Sequence, residues 1–270
     1  ALGHDNVYLL PFACQPEVNN PIELYERKDA FCFAGAYYVR YPDRTRDLDD
    51  FVENLPLYRP IEIFDRNFGK DHPDYMFPEI YHPFIVGTLP HTEIDKAYKG
   101  YRFGINLNSV KHSQSMYARR VYELLASNTR VVSNYSWGLR LMFGDLVVTT
   151  DSGAEAVRRI SEQDSSGHAD RIRLQGLRKV LSEHTYSHRL AYVARKAGIE
   201  MADPSILPGV VVLAHAHDKA ELDALLAHIS RQALPIARVV LVVPEGTDPR
   251  RVAPRVRSCA HGPGTREGRM

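Results

Sequence analysis

The sequence predicts an α/β fold, a parallel sheet with helices on both faces, and three observations predict it. Short apolar runs alternate with helically spaced apolar residues between positions 30 and 149, the order in which strand and helix follow each other when strands run parallel. The run Phe33-Ala-Gly35 ends a strand at a glycine, where a ligand can come close to the backbone at the carboxyl end of a parallel strand. Residues 101–134 then read strand, loop, amphipathic helix and strand without interruption.

Taken in order, residues 7–13 and 30–34 are short apolar runs, the first closed by Pro16 and Pro21 and the second by Gly35, and both predict buried strands. Leu48, Phe51, Val52 and Leu55 stand at helical spacing and predict a helix over 43–55, followed by a strand over 61–64. Residues 65–90 are aromatic and proline-rich without any period, which predicts an ordered surface loop. Thr92 as N-cap, with Ile94, Ala97 and Tyr98 on one face, predicts a helix of about three turns over 92–101. A strand over 103–107, a helix over 115–126, a strand over 130–133, a short helix over 137–143 and a strand over 145–149 complete the alternation.

Beyond Gly153 the pattern is helical, over 154–162 and in a long run over 169–196 in which Leu174, Leu177, Val180 and Leu181 form one buried stripe. Ala202-Asp-Pro204 and Pro208-Gly209 mark a boundary, and the strand 210–214, the helix 220–232 and the strand 238–243 add a short βαβ segment. The expected division is a main domain over 1–200, a partial α/β segment over 201–243 and a loose tail over 244–270, rich in Arg, Gly and Pro.

Composition narrows the function classes. At 270 residues and 44% hydrophobic content the chain can bury a sizeable core. Its 34 Lys and Arg against 33 Asp and Glu leave a net charge of +1, so no global field points to nucleic acid or an anionic membrane, and any anion needs a local cluster. Cys14, Cys32 and Cys259 have neither paired nor metal-type spacing, which predicts reduced thiols and a cytoplasmic location. The apolar runs fall short of the roughly 20 residues of a membrane span. The chain begins at Ala1 without a signal-peptide pattern and reads as a piece of a longer one.

Two stretches carry candidate chemistry. Arg40, Arg44 and Arg46 follow Gly35 closely, and guanidinium forks match phosphate oxygens, so this stretch reads either as a diphosphate site or as a solvated face. The polar loop 106–115 joins a strand end to a helix start, where Asn108, Ser113 and Ser115 either cap the helix or hydrogen-bond a phosphate. Glu123, about two turns further on, is an acceptor suited to the two hydroxyls of a ribose, or else an ion-pair partner of Arg119 or Arg120.

Phe33-Ala-Gly-Ala-Tyr-Tyr38, the pair Asn106 and Asn108, Arg119-Arg-Val-Tyr-Glu-Leu-Leu125, Val131-Val-Ser-Asn134 and Glu183-His-Thr-Tyr-Ser-His-Arg189 occur in that order. Together they resemble the donor-binding half of group 1 glycosyltransferases, in the CgeB-like, spore maturation protein branch. The resemblance covers residues 6–196 and rests on the order of the motifs. It implies the GT-B architecture, two Rossmann-like domains facing a cleft, with this chain as the C-terminal, donor-holding one. It further implies that Glu123 binds ribose and that Gly35 and Arg40 border the diphosphate. Many relatives carry a second glutamate near the sugar ring where this chain has Ser115, a departure in the part that meets the transferred sugar. Residues 210–243 bear a fainter likeness to the opening unit of a family 2, GT-A glycosyltransferase, without its acidic metal-binding motif.

The resemblance implies transfer of a sugar from a nucleotide diphosphate sugar to an unknown acceptor, with Arg40, Arg44 and the amides of residues 108–115 stabilising the departing diphosphate. No cofactor or metal ion is called for beyond the nucleotide-sugar donor. Another domain or chain would supply the acceptor half, and the competing expectation is a non-catalytic nucleotide-sugar binding or assembly module. His215-Ala-His217 could offer two imidazoles to a metal but lacks a third ligand nearby in sequence. Nicotinamide binding is excluded because no G-x-G-x-x-G follows the first strand, and the aromatic stretch 37–81 reads as core and cleft wall rather than a nucleic-acid platform.

Overall fold

Six strands, all parallel, form the main sheet: β1 (Lys28–Gly35), β2 (Ile61–Asp65), β3 (Ile85–Gly87), β4 (Tyr101–Asn106), β5 (Arg130–Ser133) and β6 (Val148–Thr149). The computed structural model describes residues 3–70, 72–202, 204, 210–232, 236–243 and 259–261. The strand order is β3-β2-β1-β4-β5-β6, so the winding reverses between β1 and β4 and leaves a crevice at their carboxyl ends. This is an α/β, Rossmann-like sheet. β1 is central, and its last six residues are all buried, as a strand covered on both faces requires.

Alternation along β1 feeds two cores. Phe31 and Phe33 face α1 (Pro42–Asn54) and α5 (Gly153–Ser165), joining Leu48, Phe51, Ile63, Phe103, Ile105, Ala156 and Ile160. Ala30, Cys32 and Ala34 face α2 (Asp95–Lys99), α3 (Arg120–Ala126), α4 (Trp137–Phe143) and α6 (Ala169–Glu183), joining Tyr98, Val121, Leu124, Leu125, Phe143 and Val180. Small residues on that side of β1 let the helices sit close, and the large aromatics fill the other side. Cys14 and Cys32 are buried free thiols.

Several elements differ from expectation. Residues 7–13 form no strand: Val7, Leu9, Leu10 and Phe12 are exposed, and Arg189 of α7 (Tyr186–Lys196) takes the carbonyls of Pro11 and Phe12. The expected loop 65–90 holds a 3₁₀ turn, Glu79–Phe84, and the edge strand β3, too short to show a period. The expected helix 92–101 is a 3₁₀ turn, His91–Glu93, followed by the short α2, with no side-chain cap, and β4 begins already at Tyr101. The expected strand 145–149 is a 3₁₀ turn, Gly144–Leu146, leading into the two-residue β6.

The helix expected over 115–126 is only α3. Asn108 Oδ1 accepts the Ala118 amide at 2.9 Å and Ser113 Oγ accepts that of Met116 at 3.1 Å, so side chains claim the amides that a longer helix would have used. The run 169–196 breaks at His184, where Thr185 caps α7 in a capping box closed by His188.

The chain forms two compact units, Ala1–Asp203 and Pro204–Met270. In the second, β7 (Val210–His215), β8 (Ile236–Val243) and β9 (Cys259–His261) pair in parallel, and Leu222 of α8 (Lys219–Ser230) packs with Ala216 and Leu241. Asp218 caps α8, accepting the Glu221 amide at 2.9 Å. The tail expected to be loose lies outside the described residues except for Cys259–His261, which form a third strand.

Candidate functional site

The carboxyl ends of β1 and β4 flank the switch point, and the side chains that meet there decide what it can hold. Phe33 lies along the end of β1 over Gly35, so closely that a Cβ at position 35 would stand 2.6 Å from Phe33 Cζ. Only glycine admits the ring in that pose. Two guanidinium groups rest on it, Arg44 from α1 with Cζ 6.0 Å from the ring centroid and Arg120 from α3 at 5.6 Å.

Arg44 is 4% exposed, donates from Nη1 to the Ala36 carbonyl at 3.1 Å and stacks on Tyr38 at 4.6 Å. It forms no ion pair among the described residues. Burial first, and then the positive charge of Arg120, push its pKa down to about 10, with Arg66 acting in the same sense. Arg120 Nε is buried and has no hydrogen-bond partner among the described residues. A buried guanidinium and a half-buried one with an orphan donor put two like charges beside one ring, an arrangement an anion would relieve.

Glu123 lies one turn along α3, 14% exposed on its side chain. Its Oε1 accepts Arg119 Nε at 2.8 Å and its Oε2 accepts the Tyr98 hydroxyl at 3.0 Å, so the ion-pair alternative is the arrangement formed. Tyr98 is buried, and its hydroxyl proton is held more tightly than usual, by burial first, while the charge of Arg120 opposes. Glu123 is thus joined through Tyr98 to the surroundings of Arg120.

Asn108 is 3% exposed and works as a clamp. Its side-chain amide donates to Ser133 Oγ at 3.0 Å and Asn134 Oδ1 at 3.1 Å, while its own amide donates to Asn134 Oδ1 at 2.7 Å. Asn134 continues to Asp47 at 2.7 Å, and Lys111 bridges Asp47 at 2.8 Å and Asp151 at 3.1 Å. This polar plug ties the β4 and β5 ends to α1.

Of the residues singled out from the sequence, the fold brings together Gly35, Arg44 and Arg120, with Arg119 and Glu123 paired beside them. Ser113 organises the loop turn before α3, and Ser115 is exposed, its amide donating to Ser113 Oγ at 3.3 Å. Arg40 is exposed and stacks on Tyr41 at 5.0 Å, and Arg46 pairs with Asp43. Sequence reading missed Arg66 and Tyr98, and also Asp65; the signal for the Asp65-Arg66 pair was a charged dipeptide directly after an apolar strand.

Two other motifs have structural partners. His184 is buried against Tyr122 and Phe143, and its Nδ1 accepts Arg189 at 2.8 Å. In the second unit His215 and His217 have ring centroids 4.2 Å apart and His217 pairs with Glu221, and among the described residues no group of three side chains suits a metal ion. No helix among the described residues is long and apolar enough to cross a membrane.

No curated protein matches the chain. A crystal structure of an alpha1,3-fucosyltransferase is similar over 64% of this chain and 47% of that one, at 12% identity and a TM-score of 0.36, so the chain spans under half that enzyme's length. The family model described as glycosyl transferase-like matches residues 61–195. That match runs from β2 into α7 and takes in every strand of the main sheet but β1, with Arg120 and Glu123 inside it. The chain belongs to the glycosyl transferase-like family.

Proposed function

We propose that the chain binds a nucleotide diphosphate sugar at the carboxyl ends of β1 and β4 and acts as the donor half of a glycosyltransferase. The observation that carries this reading is the pair Arg44, buried, and Arg120, half-buried, both on the Phe33 ring beside Gly35 and neither in an ion pair among the described residues. A diphosphate satisfies both forks at once. As the glycosidic bond breaks, negative charge grows on the leaving diphosphate, and guanidinium groups already fixed on an aromatic ring stabilise it without reorganising.

Glu123 enters the proposal as a positioning residue: its two oxygens already accept Arg119 and Tyr98, and it holds both beside Arg120. Asn108 and Ser113 shape the loop before α3, and Gly35 admits the Phe33 ring on which both guanidinium groups rest, in the place where the sequence suggests a ligand would approach. The acceptor and the residue that activates it belong to another domain or chain.

Titration calorimetry with pyrophosphate, UDP, GDP and dTDP tests the reading. Arg44→Ala and Arg120→Ala should each weaken binding about 10- to 100-fold, the loss expected for a charged hydrogen-bonding pair. Arg44→Lys should recover part of it, because charge remains and the fork is lost. Binding unchanged in both alanine variants would sink the proposal. Nucleotide release from a donor panel marks a transferase, and binding without release marks a module that works beside another polypeptide.

A further inference from the structure

A concavity lies at the carboxyl end of the strand next to β1. Gly35 of β1 is in register with Asp65, the last residue of β2, and the Arg66 amide donates back to the Gly35 carbonyl at 2.8 Å. Beyond this point the chain folds around a cavity of about 270 Å³. Asp65 lines it, 7% exposed, and among the described residues its carboxylate takes a single hydrogen bond, from the Asn67 amide to Oδ1 at 2.9 Å. It forms no ion pair among the described residues, so Oδ2 keeps its acceptor capacity. A carboxylate with acceptor capacity to spare takes a donor from whatever occupies the cavity.

The walls say what that donor is attached to. Phe68, Tyr75 and Phe77 line the cavity, and Phe77 is fixed by Tyr37 at 5.4 Å and Tyr81 at 5.2 Å. Tyr75 packs edge-on against Tyr38 at 5.5 Å, the same ring on which Arg44 stacks from 4.6 Å, so Tyr38 links the cavity wall to Arg44. Aromatic faces beside an acceptor-only group suit a ring that presents C–H surface and hydroxyl donors together. Lys70 also lines the cavity and disfavours a cationic guest, while the Asp65 carboxylate disfavours a phosphate.

We infer that the Asp65 cavity binds the vicinal diol of a sugar ring, Asp65 accepting the hydroxyls and the aromatic walls covering the ring. The inference rests on the nucleotide-sugar reading for the molecule that carries the diol, which is either the ribose of the nucleotide or the sugar to be transferred. Asp65 is a binding residue in this assignment and takes no covalent part.

The test compares the wild-type chain with Asp65→Asn, which keeps the acceptor for the Asn67 amide, and with Phe68→Ala, which removes a half-exposed wall and no core packing. Each is titrated with pyrophosphate, UDP, GDP, their 2′-deoxy forms, UDP-glucose and GDP-mannose. Both variants should bind pyrophosphate as the wild type does and lose about tenfold for the ligand that carries the diol. A loss for UDP or GDP that vanishes with the 2′-deoxy form assigns the cavity to ribose. A loss confined to the sugar conjugates assigns it to the transferred ring. Wild-type affinity of both variants for every ligand overturns the inference while leaving the diphosphate reading intact. Should pyrophosphate fail to bind even the wild type, the diphosphate reading falls by itself. Saturation-transfer NMR with free ribose and methyl glycosides then decides for the cavity: signals lost in Asp65→Asn support it, and no signal from any of these sugars overturns it.

Discussion

Arg120 carries a cost to the stability of the fold. Its Nε is buried without a hydrogen-bond partner among the described residues and its charge acts on Arg44 beside the same aromatic ring, and an unmet buried donor alone costs about 1–3 kcal/mol. Arg120→Met, similar in length and apolar, should therefore raise the unfolding free energy by about 0.5–1.5 kcal/mol in urea titrations while removing the stabilisation that pyrophosphate gives the wild type. An equal loss of stability with and without pyrophosphate would point to a purely structural arginine. His184 offers a second test. Burial first, then Arg189 and Lys179, push its pKa from 6.5 down to about 4, against a smaller upward pull from Glu183. The unfolded chain takes up this proton first, so stability is complete above about pH 6.5 and falls as pH drops toward about 4. The loss should be on the order of 1–2 kcal/mol after solvent screening. Thermal unfolding followed from pH 7 to 4 should show it in the wild type and a shallower slope in His184→Gln. Both effects depend on which side chains surround the residue, and no spacing in the sequence reveals that Arg120 rather than Arg40 turns toward Gly35.

At the scale of elements, two glycines show how closely the layers approach. A Cβ at Gly104 of β4 would stand 2.5 Å from a Leu124 methyl of α3, and one at Gly153 would stand 2.5 Å from the backbone carbonyl of Asp50 in α1. A leucine end can turn away, whereas a helix carbonyl moves only with its helix. Gly153→Ala should thus cost more, about 2–3 kcal/mol against about 1–2 for Gly104→Ala, as read by denaturant midpoints. The Gly153 amide also donates to the Asp50 carboxylate, which the shift would disturb. Elements whose apolar spacing met a covered face were legible: α1 from Leu48, Phe51 and Val52, and β5 from Val131 and Val132. Those decided by side-chain hydrogen bonds were not. Asn108 shortens α3 by taking the Ala118 amide, and residues 7–13, apolar enough for a strand, remain outside the sheet with their carbonyls held by Arg189. The site was legible in part for the same reason: strand ends placed Gly35, while the turn of each helix chose Arg44 and Arg120 over Arg40 and Arg46.

For the whole molecule, the near-neutral balance of 34 basic against 33 acidic side chains shapes how an anion arrives. With a net charge of +1 there is no long-range field to draw a diphosphate in, so association should be unsteered, and affinity should reside in slow release from the guanidinium pair. Arg44 is 4% exposed, and buried charges are screened far less than surface ones, whose interactions fade beyond a Debye length of about 10 Å at 0.1 M salt. Raising sodium chloride from 0.05 to 0.5 M should therefore weaken pyrophosphate binding by less than about tenfold, with the association rate in stopped-flow mixing changing less than about twofold. Capture by exposed basic side chains such as Arg40 behaves otherwise: each exposed contact is screened, and binding would collapse by orders of magnitude over the same range. A steep salt dependence that Arg40→Ala abolishes and Arg44→Ala leaves in place would move the diphosphate from the Arg44 and Arg120 pair to the surface, and with it the whole assignment of the switch point.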